Sequence, residues 1–283
     1  MMARMTTPVE KSFAGQGGNK IVYDLYEPEG TSPAGLILVA HGVAEHAGRY
    51  HHVADVLVGL GLRVVIPDHH GHGRSEGKRL LARDLSEFST DLETLRKLEL
   101  VADRPTYLLG HSMGGCIALD YALDHQDVLA ALVLSAPAVL PGDDINPLLI
   151  KVAKVLGKVV PGLPGQKLSS ASISRDPAVV TAYDADPLNY RGALPAGIGG
   201  SMLRTMASFP SRLPSLELPL LVLSGTADTI VNPEGARLVD QLAGSQDKTL
   251  KMYDGLFHEV FNEPEQELVL GELTDWLKAH LVA

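Results

Sequence analysis

Short apolar runs alternate with segments of helical period along the first half of this chain. Leu36-Ile37-Leu38-Val39-Ala40 and Tyr107-Leu108-Leu109 are uninterrupted and apolar, as strands buried on both faces must be. The segment from Gly115 through His125 instead gathers Ile117, Ala118, Tyr121 and Ala122 on one helical face. This alternation, regular from Leu36 to Ser135, predicts one α/β domain with a mostly parallel sheet flanked by helices. Leu218-Pro219-Leu220-Leu221-Val222-Leu223 and Leu250-Lys251-Met252-Tyr253 predict two further strands.

After Ser135 the alternation stops. From Pro137 to about Pro210 the chain is punctuated by Pro and Gly and lacks buried strands, the pattern of an inserted helical cap. The organisation expected is a core in two parts, 1–136 and 211–283, interrupted by a cap over 137–210. Within the cap, Pro147 to Val160 places Leu148, Leu149, Val152, Val155, Leu156 and Val159 on one side, with Lys151, Lys154 and Lys158 on another.

Composition narrows the class. The chain has 283 residues, of which 45% are hydrophobic, enough for a sizeable core. A formal net charge of −10 argues against nucleic acid as a partner and against permanent attachment to an anionic membrane. The single cysteine, Cys116, cannot form an internal disulfide and reads as a small core residue, consistent with a reducing cytoplasm. Residues 1–18 contain no apolar signal core, and no run reaches transmembrane length. A soluble, cytoplasmic protein is expected. Repeats and low-complexity tracts are absent.

The candidate chemistry lies in Gly110-His111-Ser112-Met113-Gly114, set between a strand and a helix. There a serine is held on a sharp, strained turn with small residues on either side where two backbones converge; the alternative is a serine capping an ordinary helix. A hydroxyl becomes an effective nucleophile when a histidine takes its proton and a carboxylate fixes that histidine's tautomer. Asp228 follows the strand-like run ending at Leu223, and His258 follows the next one, so they are the candidate acid and base. Asp240 and Asp247 are weaker rivals for the acid, and His280 lies near the end of an amphipathic helix where capping or solvation suits it better. Met113 supplies the amide after the nucleophile, and Val43, in the loop after Ala40, the second amide of an oxyanion hole. His41 beside that loop reads as a residue that orders its backbone.

At these residues the chain resembles the monoacylglycerol lipases of the α/β-hydrolase superfamily, in particular the bacterial, mycobacterial-type enzymes. The matching blocks are His41-Gly42-Val43-Ala44-Glu45-His46-Ala47-Gly48-Arg49-Tyr50, Gly71-His72-Gly73-Arg74-Ser75, the serine block continued to Gly115, Ala182-Tyr183-Asp184-Ala185-Asp186-Pro187-Leu188, and Ser245-Gln246-Asp247-Lys248-Thr249-Leu250-Lys251. The resemblance implies hydrolysis of glycerol monoesters of long-chain fatty acids, with no metal or organic cofactor. It places Glu45, Arg49 and Tyr183 at the polar end of the pocket, near the glycerol group. The cap helix then reads as a lid, with Leu149 and Leu156 lining an acyl pocket and transiently touching lipid, which would put the protein at membranes peripherally. The alternative is that the helix packs its apolar face on the body of the protein.

One block departs from the family, which often reads Asp-His-Arg-Gly-His-Gly where this chain has Asp68-His69-His70-Gly71-His72-Gly73. The exchange bears on local stability more than on chemistry. The same histidines suggest a metal, but no carboxylate or cysteine shares ligand-like spacing. The competing functions are a lysophospholipase or a broad carboxylesterase, which share this chemistry, and a non-catalytic binding module on the same fold.

Overall fold

The computed structural model describes residues 6–30, 32–142 and 147–281, without the side chains of 147–149. Among these residues eight strands form one sheet: β1 (Val9–Ala14), β2 (Lys20–Tyr26), β3 (Gly35–Ala40), β4 (Leu62–Pro67), β5 (Thr106–His111), β6 (Ala131–Ser135), β7 (Leu220–Gly225) and β8 (Lys248–Tyr253). Among the described residues nine helices surround it: α1 (His51–Val58), α2 (Ser86–Glu99), α3 (Met113–Asp124), α4 (Pro147–Val159), α5 (Pro177–Ala185), α6 (Ala196–Met206), α7 (Phe209–Arg212), α8 (Glu234–Leu242) and α9 (Gln266–His280). The strand order is β1-β2-β4-β3-β5-β6-β7-β8. From β4 to β8 all pairings are parallel, whereas β1 and β2 join antiparallel at one edge. This is the mostly parallel, helix-flanked sheet that the strand-helix alternation predicted, in the α/β-hydrolase arrangement that the resemblance implied.

The apolar runs are buried because helices cover both faces. Every residue of β3 and β5 is buried, and successive side chains enter opposite cores. One core joins Leu36, Leu38 and Leu108 to α2, α3 and α6, while the other joins Ile37, Val39, Tyr107 and Leu109 to α1 and α9. The β1–β2 hairpin was not read from sequence, because β1 is almost wholly exposed and offers no apolar face. The strands expected at 218–223 and 250–253 begin at Leu220 and Lys248, and the first extends to Gly225.

Helices α4 to α7 lie between β6 and β7, where the Pro/Gly-rich insert was expected. The orientation of α4 differs from a simple amphipathic reading. Val152, Val155 and Val159 are 43%, 61% and 72% exposed. The packed side of α4 carries Gly157 instead, where an added methyl would meet the Ala196 carbonyl and the Gly200 backbone of α6. Close approach of two helices through small residues thus selects the buried face, and the valine ridge is turned out to solvent. Leu156 is half-buried, and the Leu149 side chain lies outside the described residues.

Candidate active site

The turn between β5 and α3 places Ser112 at φ 54° and ψ −118°, a conformation that costs a non-glycine residue of order 1–3 kcal/mol. The surrounding packing holds it there. The Ser112 amide donates to the Ser135 carbonyl at 3.0 Å, and its own carbonyl accepts from Ala138 and Cys116. A methyl group on Gly114 would fall on the Ala40 carbonyl, and one on Gly110 would fall on the Gly114 backbone. Glycine at these two positions is therefore required for α3 to sit against β3 and β5.

Asp228 lies in the loop after β7, and His258 in the loop after β8. They meet: the His258 Nδ1 hydrogen donates to Asp228 Oδ2 at 2.7 Å, with both side chains buried. The other carboxylate oxygen accepts from the amides of Ile230 and Val231 at 2.8 and 3.1 Å, which fixes its plane. An imidazole that donates through Nδ1 presents Nε2 as an acceptor. Burial alone would push the His258 pKa down, but the charge and hydrogen bond of Asp228, with Glu259 and Glu45 behind, outweigh it and raise the value. Of the rival acids, Asp247 pairs with His280 at 3.0 Å on the far end of α9, and Asp240 lies on α8, outside the lining of the cavity that holds Ser112 and His258.

Ser112 and His258 open into one cavity of about 510 Å³. Val43, Ala44 and Glu45 line one wall, and cap residues including Tyr183 and Tyr190 line another. Met113 is the first residue of α3, so its amide has no acceptor within the helix. The loop bearing Val43 is braced from several sides. Gly42 donates its amide to Glu45 Oε1 at 2.5 Å, and Ala44, at φ 69°, offers its carbonyl to the Tyr183 hydroxyl at 3.1 Å and the Tyr190 amide at 2.9 Å. His41 orders the same region, donating from Nδ1 to the Gly42 carbonyl and accepting the His69 amide at Nε2.

Glu45 and Arg49 belong to a buried network. Arg49 donates to Glu45 Oε2 at 2.6 Å and grips both oxygens of Glu259 at 2.6 and 2.7 Å. Burial would raise the Glu45 carboxyl, but Arg49 more than offsets it and holds the group at about 2. The guanidinium also lies 4.8 Å from the centre of the Tyr183 ring. Glu45, Tyr183 and Glu259 line the cavity; neither Arg49 nor Leu156 is among its lining residues. Glu259 escaped the sequence reading, although its position directly after His258 was a usable signal. His111 was another omission: its ring sits 4.8 Å from that of His258, and burial with that neighbour pushes its pKa down to about 4.

The histidine block divides. His41, His69 and His72 form a buried ring cluster with centroids 4.3, 5.3 and 6.2 Å apart, whereas His70 faces Asn19. Asp68 takes Arg74 and the Ala47 amide as partners, so the His70 exchange leaves it satisfied. Among the described residues no group of three His, Cys, Asp or Glu side chains is placed to hold a metal ion.

A serine on a strained turn at the carboxyl edge of a parallel sheet, sharing a cavity with a histidine-aspartate pair, defines an α/β hydrolase of the serine type. The family model described as serine aminopeptidase, S33, matches residues 31–265. A monoacylglycerol lipase of Mycolicibacterium smegmatis is 50% identical over 279 residues, which is 98% of this chain and 99% of that protein. Monoglyceride lipase of Homo sapiens is 39% identical over 257 residues, covering 89% of this chain and 84% of its own. The crystal structure of Paleococcus ferrophilus monoacylglycerol lipase matches with a TM-score of 0.84 at 30% identity, over 92% of this chain and 99% of that one. The chain belongs to the monoacylglycerol lipase family of α/β hydrolases.

Proposed function

We propose that this protein cleaves the ester bond of monoacylglycerols to glycerol and a free fatty acid, with Ser112 as nucleophile, His258 as base and Asp228 as its orienting carboxylate. The observation that carries this reading is the shared cavity of Ser112 and His258, with His258 bonded to Asp228. His258 Nε2 takes the hydroxyl proton as Ser112 Oγ attacks the ester carbonyl, and the amides of Val43 and Met113 receive the developing oxyanion. The imidazolium then protonates the departing glycerol oxygen, and water repeats the sequence on the acyl-enzyme. The reaction as written requires neither a metal nor an organic cofactor. Tyr183 and Glu45 face the glycerol side of the cavity, and Arg49 supports them from behind.

Two measurements test this reading. A fluorophosphonate should label the wild-type protein and spare Ser112→Ala, and a panel of monoacylglycerols, diacylglycerols and p-nitrophenyl esters should show turnover of the monoacylglycerols. Labelling that persists in Ser112→Ala, or no turnover of any ester, would overturn it and favour a binding module.

The outward valines motivate a further element, transient contact with lipid surfaces. Val152, Val155 and Val159 are exposed on α4, with Lys151 and Lys158 exposed beside them. No helix among the described residues is long and apolar enough to cross a membrane, so such contact would be peripheral.

A further inference from the structure

The cap forms a short two-stranded ribbon above the catalytic cavity. Pro164 bridges Pro195 in antiparallel fashion, the Gly165 amide donates to the Leu194 carbonyl, and the Leu194 amide donates to the Gln166 carbonyl, both at 2.8 Å. Lys167 directly follows one strand of this ribbon, and Arg191 lies in the segment that leads into the other. Both residues line the cavity that contains Ser112 and His258, and both are exposed. Neither side chain has an ion pair or hydrogen bond among the described residues. By contrast, Arg49, Arg63, Arg74 and Arg175 are each matched to carboxylates. The exposed hydroxyl-bearing Ser169 lines the same rim. One carboxylate, Asp184, shares it and accepts from the Ser170 hydroxyl at 3.1 Å, while Glu45 and Glu259 are buried against Arg49. Two free cations against one acid is a rim suited to an anion.

We propose that Lys167 and Arg191 form a phosphate subsite, so that the same catalytic centre also takes anionic monoacyl glycerophospholipids. This inference rests on the serine-esterase reading above. In such a substrate the phosphate lies one glycerol unit from the acyl carbonyl, which suits a carbonyl at Ser112 and a phosphate at the rim. Arg191 offers a planar fork to two phosphate oxygens, and Lys167 a point charge. The chemistry is unchanged: Ser112 Oγ bonds the acyl carbon, the bond from that carbon to the glycerol oxygen breaks, and the glycerophosphate leaves with the proton carried by His258. Water then attacks the acyl carbon, returning its proton through His258 to Ser112 and releasing the fatty acid.

The test compares 1-oleoyl glycerophosphoglycerol with 1-oleoylglycerol in neutral detergent micelles, for the wild type, the double variant Lys167→Gln/Arg191→Gln, and Ser112→Ala. The wild type should hydrolyse both lipids. In the double variant the ratio of kcat/KM for the phospholipid to that for the monoacylglycerol should fall about tenfold to a hundredfold, the effect of losing charged hydrogen bonds to phosphate. Turnover of monoacylglycerol alone by the wild type would overturn the phosphate subsite and leave the esterase reading standing, whereas turnover of neither would defeat both. An unchanged ratio would also overturn the subsite. A separate arm adds vesicles of an anionic diacyl phospholipid. If they speed monoacylglycerol hydrolysis by the wild type but not by the double variant, and the ratio is unchanged, the two cations read a charged surface and not a substrate headgroup.

Discussion

Arg49 grips both carboxylate oxygens of Glu259, the residue that directly follows the proposed base His258, and also donates to Glu45 in the loop that carries Val43, the proposed oxyanion donor. One guanidinium therefore joins the two loops that must hold their geometry during acyl transfer. The three side chains are nearly enclosed, at 10%, 6% and 5% exposure for Arg49, Glu259 and Glu45. Removing one member of a buried ion pair leaves an uncompensated charge, which costs about 3–5 kcal/mol.

Arg49→Leu is accordingly expected to destabilise the fold by about 3–5 kcal/mol in urea titrations. Arg49→Lys should recover part of this but not the two-pronged grip on Glu259. A loss below 1 kcal/mol for Arg49→Leu would mean that the network is solvated and the loops are tied together by other contacts.

The acid limb of the rate profile follows from the raised pKa of His258. Only neutral imidazole accepts the Ser112 proton, so kcat/KM should rise with pH through a midpoint above the ordinary histidine value of about 6.5. The folded protein also holds this proton more tightly than the unfolded chain. Its contribution to stability is therefore fully present below about 6.5 and is lost as pH rises through the folded value. Asp228→Asn removes the charge that raises the pKa, so turnover should fall by around 10⁴ and the residual activity should show its midpoint at lower pH. A midpoint unmoved by Asp228→Asn would show that another group sets the limb.

Backbone convergence at the serine turn gives a paired stability test. Gly114→Ala would drive a methyl into the Ala40 carbonyl, whereas a methyl on Gly271 in α9 meets nothing within 4 Å. Gly271→Ala should therefore stabilise the protein by about 0.5–1 kcal/mol through helix propensity. Gly114→Ala should fail to give folded protein, or should melt far lower. Equal melting temperatures for the two variants would refute the close approach of α3 to β3.

Strand positions were legible in sequence because a parallel sheet covered on both faces leaves uninterrupted apolar runs, as in β3 and β5. The same logic brought out Asp228, which follows the buried run of β7, whereas His258 follows the half-buried edge strand β8, whose run is broken by Lys251. The partnership of Arg49 with Glu259 was not legible. It spans 210 residues, and nothing local to either residue encodes the other. The direction of α4 was missed for a different reason. A helical period defines an apolar stripe, but Gly157 and Gly200, which have no side chain to count, decided which side packs.

That outward turn of α4 supplies the last prediction. Val155 and Val159 are 61% and 72% exposed, so charges placed there meet solvent and not core. Burying a valine-sized side chain in an apolar phase is worth roughly 1.5–3 kcal/mol, and a basic residue near an anionic surface adds about 1, enough for reversible adsorption. Val155→Asp with Val159→Asp should weaken sedimentation with anionic vesicles and slow hydrolysis of aggregated long-chain monoacylglycerol. Melting temperature and activity on a soluble short-chain ester should hold. A joint collapse of both activities and of the melting temperature would show that this face is packed in solution. No change in vesicle binding would show that the valine ridge does not meet lipid, because two added carboxylates on a contacting face must repel an anionic surface.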